Sequence, residues 1–175
     1  MSNSDKKILT THTGSLPRPE DLIQIMWAKG DGIPVDQAAL DERVASAVDE
    51  IVEKQVAAGV SIVNDGEMSK PSYATYVKDR LHGFGGDSIQ NYFFADLADY
   101  PKSAEIVAGN PGRRKRAAPA CNGPISVSDA EAAALDMVNL NNAAAKRAVE
   151  GTFSSAASPG VVSIFFGNEY YKTDE

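Results

Sequence analysis

The feature that most constrains this 175-residue chain is a long apolar stripe that runs into a glycine and then a strand. Leu40, Val44, Val48, Ile51, Val52 and Val56 recur at three- and four-residue intervals. That spacing predicts a helix from near Asp36 to Gly59 with one buried face. Asp36, Asp41 and Glu42 cluster early in it, where the helix dipole favours negative charge, and Gly59 suits a left-handed cap. Val60 to Asn64 then reads as a strand, followed by the polar loop Asp65-Gly66-Glu67. Helix, glycine, short strand and polar loop in that order is the alternation of a parallel sheet, so the expected class is α/β.

The rest of the chain fits around that unit. Ile8 to Thr11 is β-leaning and leads into Thr13-Gly14-Ser15 and the breakers Pro17 and Pro19. Asp21 to Lys29 predicts a short helix, and a second is expected from Lys70 to Leu81, ended by Gly83 to Gly86. Residues 87–116 read as an insertion or long loop. Ala117 to Val127 offers short apolar pieces around Pro119 and Pro124. Ser128-Asp129-Ala130-Glu131 has capping-box spacing and opens a helix expected to reach Gly151. Val161 to Phe166 reads as a strand, and Lys172 to Glu175 as the first turn of a further helix. The length is that of one domain over 1–175, and a chain that stops at a helix start reads as interrupted.

Composition narrows the function classes. Lys and Arg total 17 against 24 Asp and Glu, a formal charge of −7, which argues against gripping nucleic acid or an anionic membrane. The basic run Arg113-Arg114-Lys115-Arg116 lacks interleaved aromatics and reads as a solvated loop. The single cysteine, Cys121, excludes an internal disulfide, points to a reducing compartment and cannot build a multi-thiolate zinc site. With no signal-peptide core at the N-terminus, the expected location is cytoplasmic.

Two clusters lie just past predicted strands, where α/β folds place chemistry. The first is His12-Thr13-Gly14-Ser15-Leu16-Pro17-Arg18: Gly14 admits a ligand close to the backbone, Ser15 brings a hydroxyl, and His12 and Arg18 bring tunable and fixed polarity. The second is Asn64-Asp65-Gly66-Glu67, whose carboxylates suit a substrate ammonium group, general-base work or a metal. Taken singly, each is also an ordinary turn. Cys121 reads as a buried thiol and His82 as a surface or capping residue.

Thr10 to Pro19, the long helix, and Gln55 to Glu67 together resemble the cobalamin-independent methionine synthase family, and more closely its shorter single-barrel members. Tyr76 through Phe84, Cys121-Asn122-Gly123-Pro124 and Ala156 to Gly160 extend the resemblance over nearly the whole chain. It implies a (β/α)8 TIM-type barrel, of which this chain holds roughly the first three or four β/α units. It implies methyl transfer from a methyl-tetrahydrofolate-type donor to the thiol of homocysteine, with zinc holding the thiolate. On this resemblance Thr13, Gly14 and Ser15 fall on the segment that binds the amino-acid substrate, and Glu67 on the glutamate that holds its amino group. His12, Arg18 and Asp65 are secondary candidates. His12 stands where larger synthases often carry threonine, and Asp65 where they carry histidine.

The family's zinc ligands, a His-x-Cys pair with a glutamate and a second cysteine, belong to the second half of the barrel and have no counterpart here. The expected partners are therefore a small thiol or amino-acid substrate and either the missing half or a second copy of the chain. Two other readings stand beside this one: a related barrel activity, such as porphyrin decarboxylation or alkyl transfer to another thiol, and a non-catalytic assembly module.

Overall fold

The computed structural model describes residues 7–72, 76–86, 95–108 and 119–173. They form two compact units: residues up to Tyr76 with Asp129–Ala157, and Val77–Ser128 with the residues from Ser158 onward. The divide is wider than the expected insertion at 87–116, most of which lies outside the described residues, as does the basic run.

The first unit is built on two helices. Helix α1 spans Glu20–Gly30 and α2 spans Gln37–Ala57. Asp36 caps α2, its carboxylate accepting from the backbone N–H of Ala38 at 3.0 Å and Ala39 at 3.2 Å. At the other end Gly59 takes φ +80°, and the N–H groups of Gly59 and Val60 bond to the carbonyls of Val56 and Gln55. That is the two-bond arrangement by which a glycine satisfies the last carbonyls of a helix.

Strand β1 (Ile62–Val63) follows, and β4 (Gly151–Thr152) pairs parallel to it. Thr11 bridges parallel to Ile62 on its other side, while the Thr10 carbonyl accepts from the N–H groups of Ser61 and Ile62. Three parallel segments thus lie in chain order, Thr11, β1, β4, with helices between them. This is an α/β arrangement, and the described residues hold no closed barrel.

Between β1 and β4 the first unit also contains helix α4 (Glu131–Ala145). Its Leu140, Ala143 and Ala144 join Leu22 and Met26 of α1, the stripe of α2, Val63 and Met68 in one buried core. Fully burying a Leu or Val side chain contributes about 1.5–3 kcal/mol, so this cluster is what holds the helices on the strands. Arg43 of α2 adds a bidentate pair to Asp21 of α1, at 2.5 and 3.1 Å, which holds the Asp21 carboxyl below its ordinary range.

A second ionic tie joins α2 to the end of α4. Asp49 accepts from Arg147 at 2.8 and 3.2 Å and from Lys146 at 3.0 Å. Hydrogen bonding from Arg147 first and Lys146 second lowers its carboxyl from 3.8 to about 2. A folded-state pKa below the unfolded one stabilises above the unfolded value and is lost as pH falls through the folded value. Because Asp49 is 34% exposed, we expect Asp49→Asn to cost only about 1 kcal/mol at neutral pH. Thermal melts should show that difference closing between about pH 4 and about pH 2.

The second unit holds the antiparallel pair β2 (Leu81–Gly85) and β3 (Ala120–Val127). Its register runs from Leu81 opposite Val127 to Gly85 opposite Ala120, with an irregularity between His82 and Phe84. Phe84 packs on the buried Phe166, ring centroids 4.8 Å apart. Cys121 is buried and free, and its backbone bonds to Gly167 and Glu169. Helix α3 covers Pro101–Ala108 and α5 covers Pro159–Phe165.

Four local expectations are corrected. The expected helix over 70–81 is not formed by the described residues: 70–72 are irregular, and a 3-10 turn at Tyr76–Asp79 gives way to β2, which places His82 on an exposed strand position; 73–75 lie outside the described residues. Val161 to Phe166 is helical to Phe165, because Ser158 caps it through the Val161 N–H at 3.2 Å and Pro159 fits the first turn. That start signal outweighs the β-branched run. The capping box at 128–131 does not form; instead Asp129 accepts from Ala132 N–H at 2.9 Å. Helix α4 also stops at Ala145 rather than reaching Gly151. Lys172 and Thr173 are bends, and the remainder of that expected helix start lies outside the described residues. No helix among the described residues is long and apolar enough to cross a membrane.

Candidate active site

Three segments leave the C-terminal ends of the parallel strands: 12–18 after Thr11, 64–70 after β1, and 153–157 after β4. The middle one holds the buried Asp65, Glu67 and Lys70, and its path is unusual. Asn64 and Asp65 each fold back on the chain, Asn64 Oδ1 accepting from Gly66 N–H at 2.8 Å and Asp65 Oδ1 from Glu67 N–H at 3.1 Å. Gly66 and Glu67 are consequently both left-handed, at φ +58° and +59°.

At Gly66 a side chain would also meet Leu16 Cβ at 3.1 Å and Met68 Cε at 2.9 Å, so glycine is required there twice over. Glu67 is the one non-glycine among the described residues with positive φ. Such a conformation costs on the order of 1 kcal/mol and persists only where the surroundings impose it.

Those surroundings are polar and buried. Gln55 of α2 clamps Asn64 on both sides, donating to its carbonyl at 2.8 Å and accepting from its N–H at 3.1 Å. Arg18 donates through Nε and Nη2 to the Glu67 carbonyl at 3.2 and 2.7 Å, and through Nη2 to the Lys70 carbonyl. Lys70, only 3% exposed, turns inward to Asp65 Oδ2 at 3.4 Å and donates to the Ser155 carbonyl at 2.8 Å. Its ammonium also lies 5.7 Å from the centre of the Tyr76 ring, whose hydroxyl accepts from Ala157 N–H. Arg18 and Lys70 therefore lace the three segments together.

Against this frame, Ser15 donates a short hydrogen bond to Glu67 Oε2. Glu67 is 2% exposed, whereas Ser15 and Thr13 are at the surface. Between them Gly14 takes φ +103° with open space where a Cβ would stand, leaving the backbone approachable. His12 is half-buried; its carbonyl accepts from Asn64 Nδ2, and its Nε2 is buried without a hydrogen-bond partner.

The structure thus brings Gly14, Ser15 and Glu67 together, and gives Arg18 and Asp65 internal partners that fix the loop. Thr13 is exposed, and its side chain makes no hydrogen bond among the described residues. Lys70, Gln55 and Ser155 were not singled out from sequence. Gln55 carried a signal, a polar residue between Val52 and Val56 on an apolar stripe, whereas a buried lysine leaves no such mark. Among the described residues no group of three or more His, Cys, Asp or Glu side chains is placed to hold a metal ion. The zinc implied by resemblance therefore finds no fit here, and no step is routed through it.

No protein-family model matches the chain, and no curated protein matches it. Among solved structures it is similar to a B12-independent methionine synthase from Shewanella sp. W3-18-1, determined in complex with selenomethionine. The TM-score is 0.58 at 19% identity over 94% of this chain. This chain spans 42% of the length of that one. At that identity the likeness concerns fold.

Proposed function

We propose that this chain carries the amino-acid-binding part of a methionine-synthase-like methyltransferase, with Glu67 and Ser15 holding the substrate ammonium group. The observation that carries the reading is the buried Glu67 carboxylate, held left-handed beside the open backbone of Gly14 and already accepting from Ser15. An ionised carboxylate only accepts hydrogen bonds and has about four lone-pair sites. Ser15 uses one, which leaves others for an ammonium, and charge-assisted bonds of that kind are about twice as strong as neutral ones.

Three parallel segments in chain order, each followed by a loop of the site, are what the opening of a (β/α)8 barrel would supply. The solved structure similar to this chain holds selenomethionine, which supports an α-amino acid with a chalcogen side chain as ligand. On this reading the methyl donor and the thiol-activating group are supplied by further polypeptide, either the rest of a barrel or a partner chain, and the chain alone does not turn over.

A thermal-shift series tests the ligand class. L-methionine at about 100 times its Kd should add about 2.7 kcal/mol of stability. The same compound without its amino group should add none. Equal shifts from both would remove the ammonium from the account.

A further inference from the structure

We infer that His12 is a ligand-binding residue of this site, its Nε2 hydrogen-bonding a polar group of the bound amino acid other than the ammonium. The inference rests on the reading above and extends it to the other end of the ligand. Its basis is a matter of place. Among the described residues two buried side-chain polar atoms lack a partner, His12 Nε2 and Ser69 Oγ. Both sit in the loops that build the site, and the helical scaffold contributes none.

A buried polar atom without a partner is destabilising, and folded proteins satisfy the great majority of them. Here the atom belongs to a residue at the end of a strand, two positions before Gly14, whose backbone is open, and a ligand group is the natural partner. His12 is anchored where it can serve: Asn64 Nδ2 holds its carbonyl, and the same loop places Ser15 on Glu67. The remaining hydrogen-bonding groups of a small thiol amino acid are its carboxylate, which accepts, and its thiol, which donates. A neutral imidazole nitrogen can serve either, depending on tautomer.

The test uses the intact chain labelled with 15N at histidine, of which there are two. His82, exposed on β2, is the internal control. Titration with L-methionine and separately with L-homocysteine should move the His12 Nε2 resonance and leave His82 unmoved. Movement with both ligands assigns the shared carboxylate, and movement with homocysteine alone assigns the thiol.

His12→Phe, which removes the unsatisfied atom, should melt no lower than the wild type yet bind at least about tenfold more weakly. His12→Gln should recover part of the affinity. A still His12 resonance at saturating ligand, or a His12→Phe protein that melts several degrees lower, overturns the inference. If Glu67→Gln abolishes binding while His12 never moves, the inference fails alone. If His12 moves equally in wild type and Glu67→Gln at unchanged affinity, the ammonium reading fails alone. A wild type that binds neither amino acid overturns both.

Discussion

Asp65→Ala is expected to destabilise the chain by about 3–5 kcal/mol, because it strands a buried ammonium. Asp65 and Lys70 are each 3% exposed, and Asp65 supplies the carboxylate that faces Lys70 Nζ. The same carboxylate accepts from Glu67 N–H, so its loss also frees the left-handed turn. For a chain of this size the melting temperature should fall by on the order of 10 °C.

The double variant Asp65→Leu with Lys70→Met should be less damaged than Asp65→Ala, since replacing both charges removes the uncompensated one. It should nonetheless lose ligand binding, because nothing then fixes Glu67. An Asp65→Ala protein within about 1 kcal/mol of wild type would mean that the pair is not buried as described.

The second large effect belongs to the other unit. A Cβ on Gly83 would stand 2.8 Å from the carbonyl oxygens of both Gly123 and Pro124, at φ +96°. Backbone oxygens cannot rotate away, so Gly83→Ala must push β2 from β3. We expect a loss of about 2–4 kcal/mol from overpacking and the left-handed backbone combined. Amide hydrogen exchange should show Leu81–Gly85 and Ala120–Val127 losing protection together.

Gly85→Ala is the contrast. There the nearest atoms belong to the Asn122 side chain, at 3.0 Å, which can swing aside. Equal damage at both glycines would argue against the bulged register.

The scaffold of the first unit was legible because its signals are local and agree with one another. The stripe of α2 and its Gly59 stop act within a few residues and each leaves a mark in the sequence, whereas Asp36, read as an acid of the first turn, is the cap itself. The loop after β1 was legible for the same reason: Asn64-Asp65-Gly66 is turn chemistry at the end of an apolar strand.

What was not legible depends on contacts distant in sequence. Lys70 read as the start of a helix, and only its pairing with Asp65 and the Ser155 carbonyl, 85 residues on, gives it a role. Leu81 continued a helical spacing but pairs with Val127 in a strand. Val161 to Phe165 misled in the opposite direction, since β-branched residues tolerate a short helix once Ser158 and Pro159 start it. Arg18 and Asp65 drew attention as ligand groups for the residue types they are. The structure gives both of them internal partners that brace Glu67.

The central claim is that the Glu67 carboxylate holds an amino-acid ammonium group, and calorimetric titration of L-methionine into wild type and Glu67→Gln tests it most directly. Glutamine keeps the length of the side chain and an oxygen for Ser15 but removes the charge. The account predicts measurable binding by the wild type and at least about a hundredfold weaker binding by the variant, the scale of losing one charged hydrogen-bonded partner. Equal affinity in a Glu67→Gln protein that melts like the wild type would contradict it.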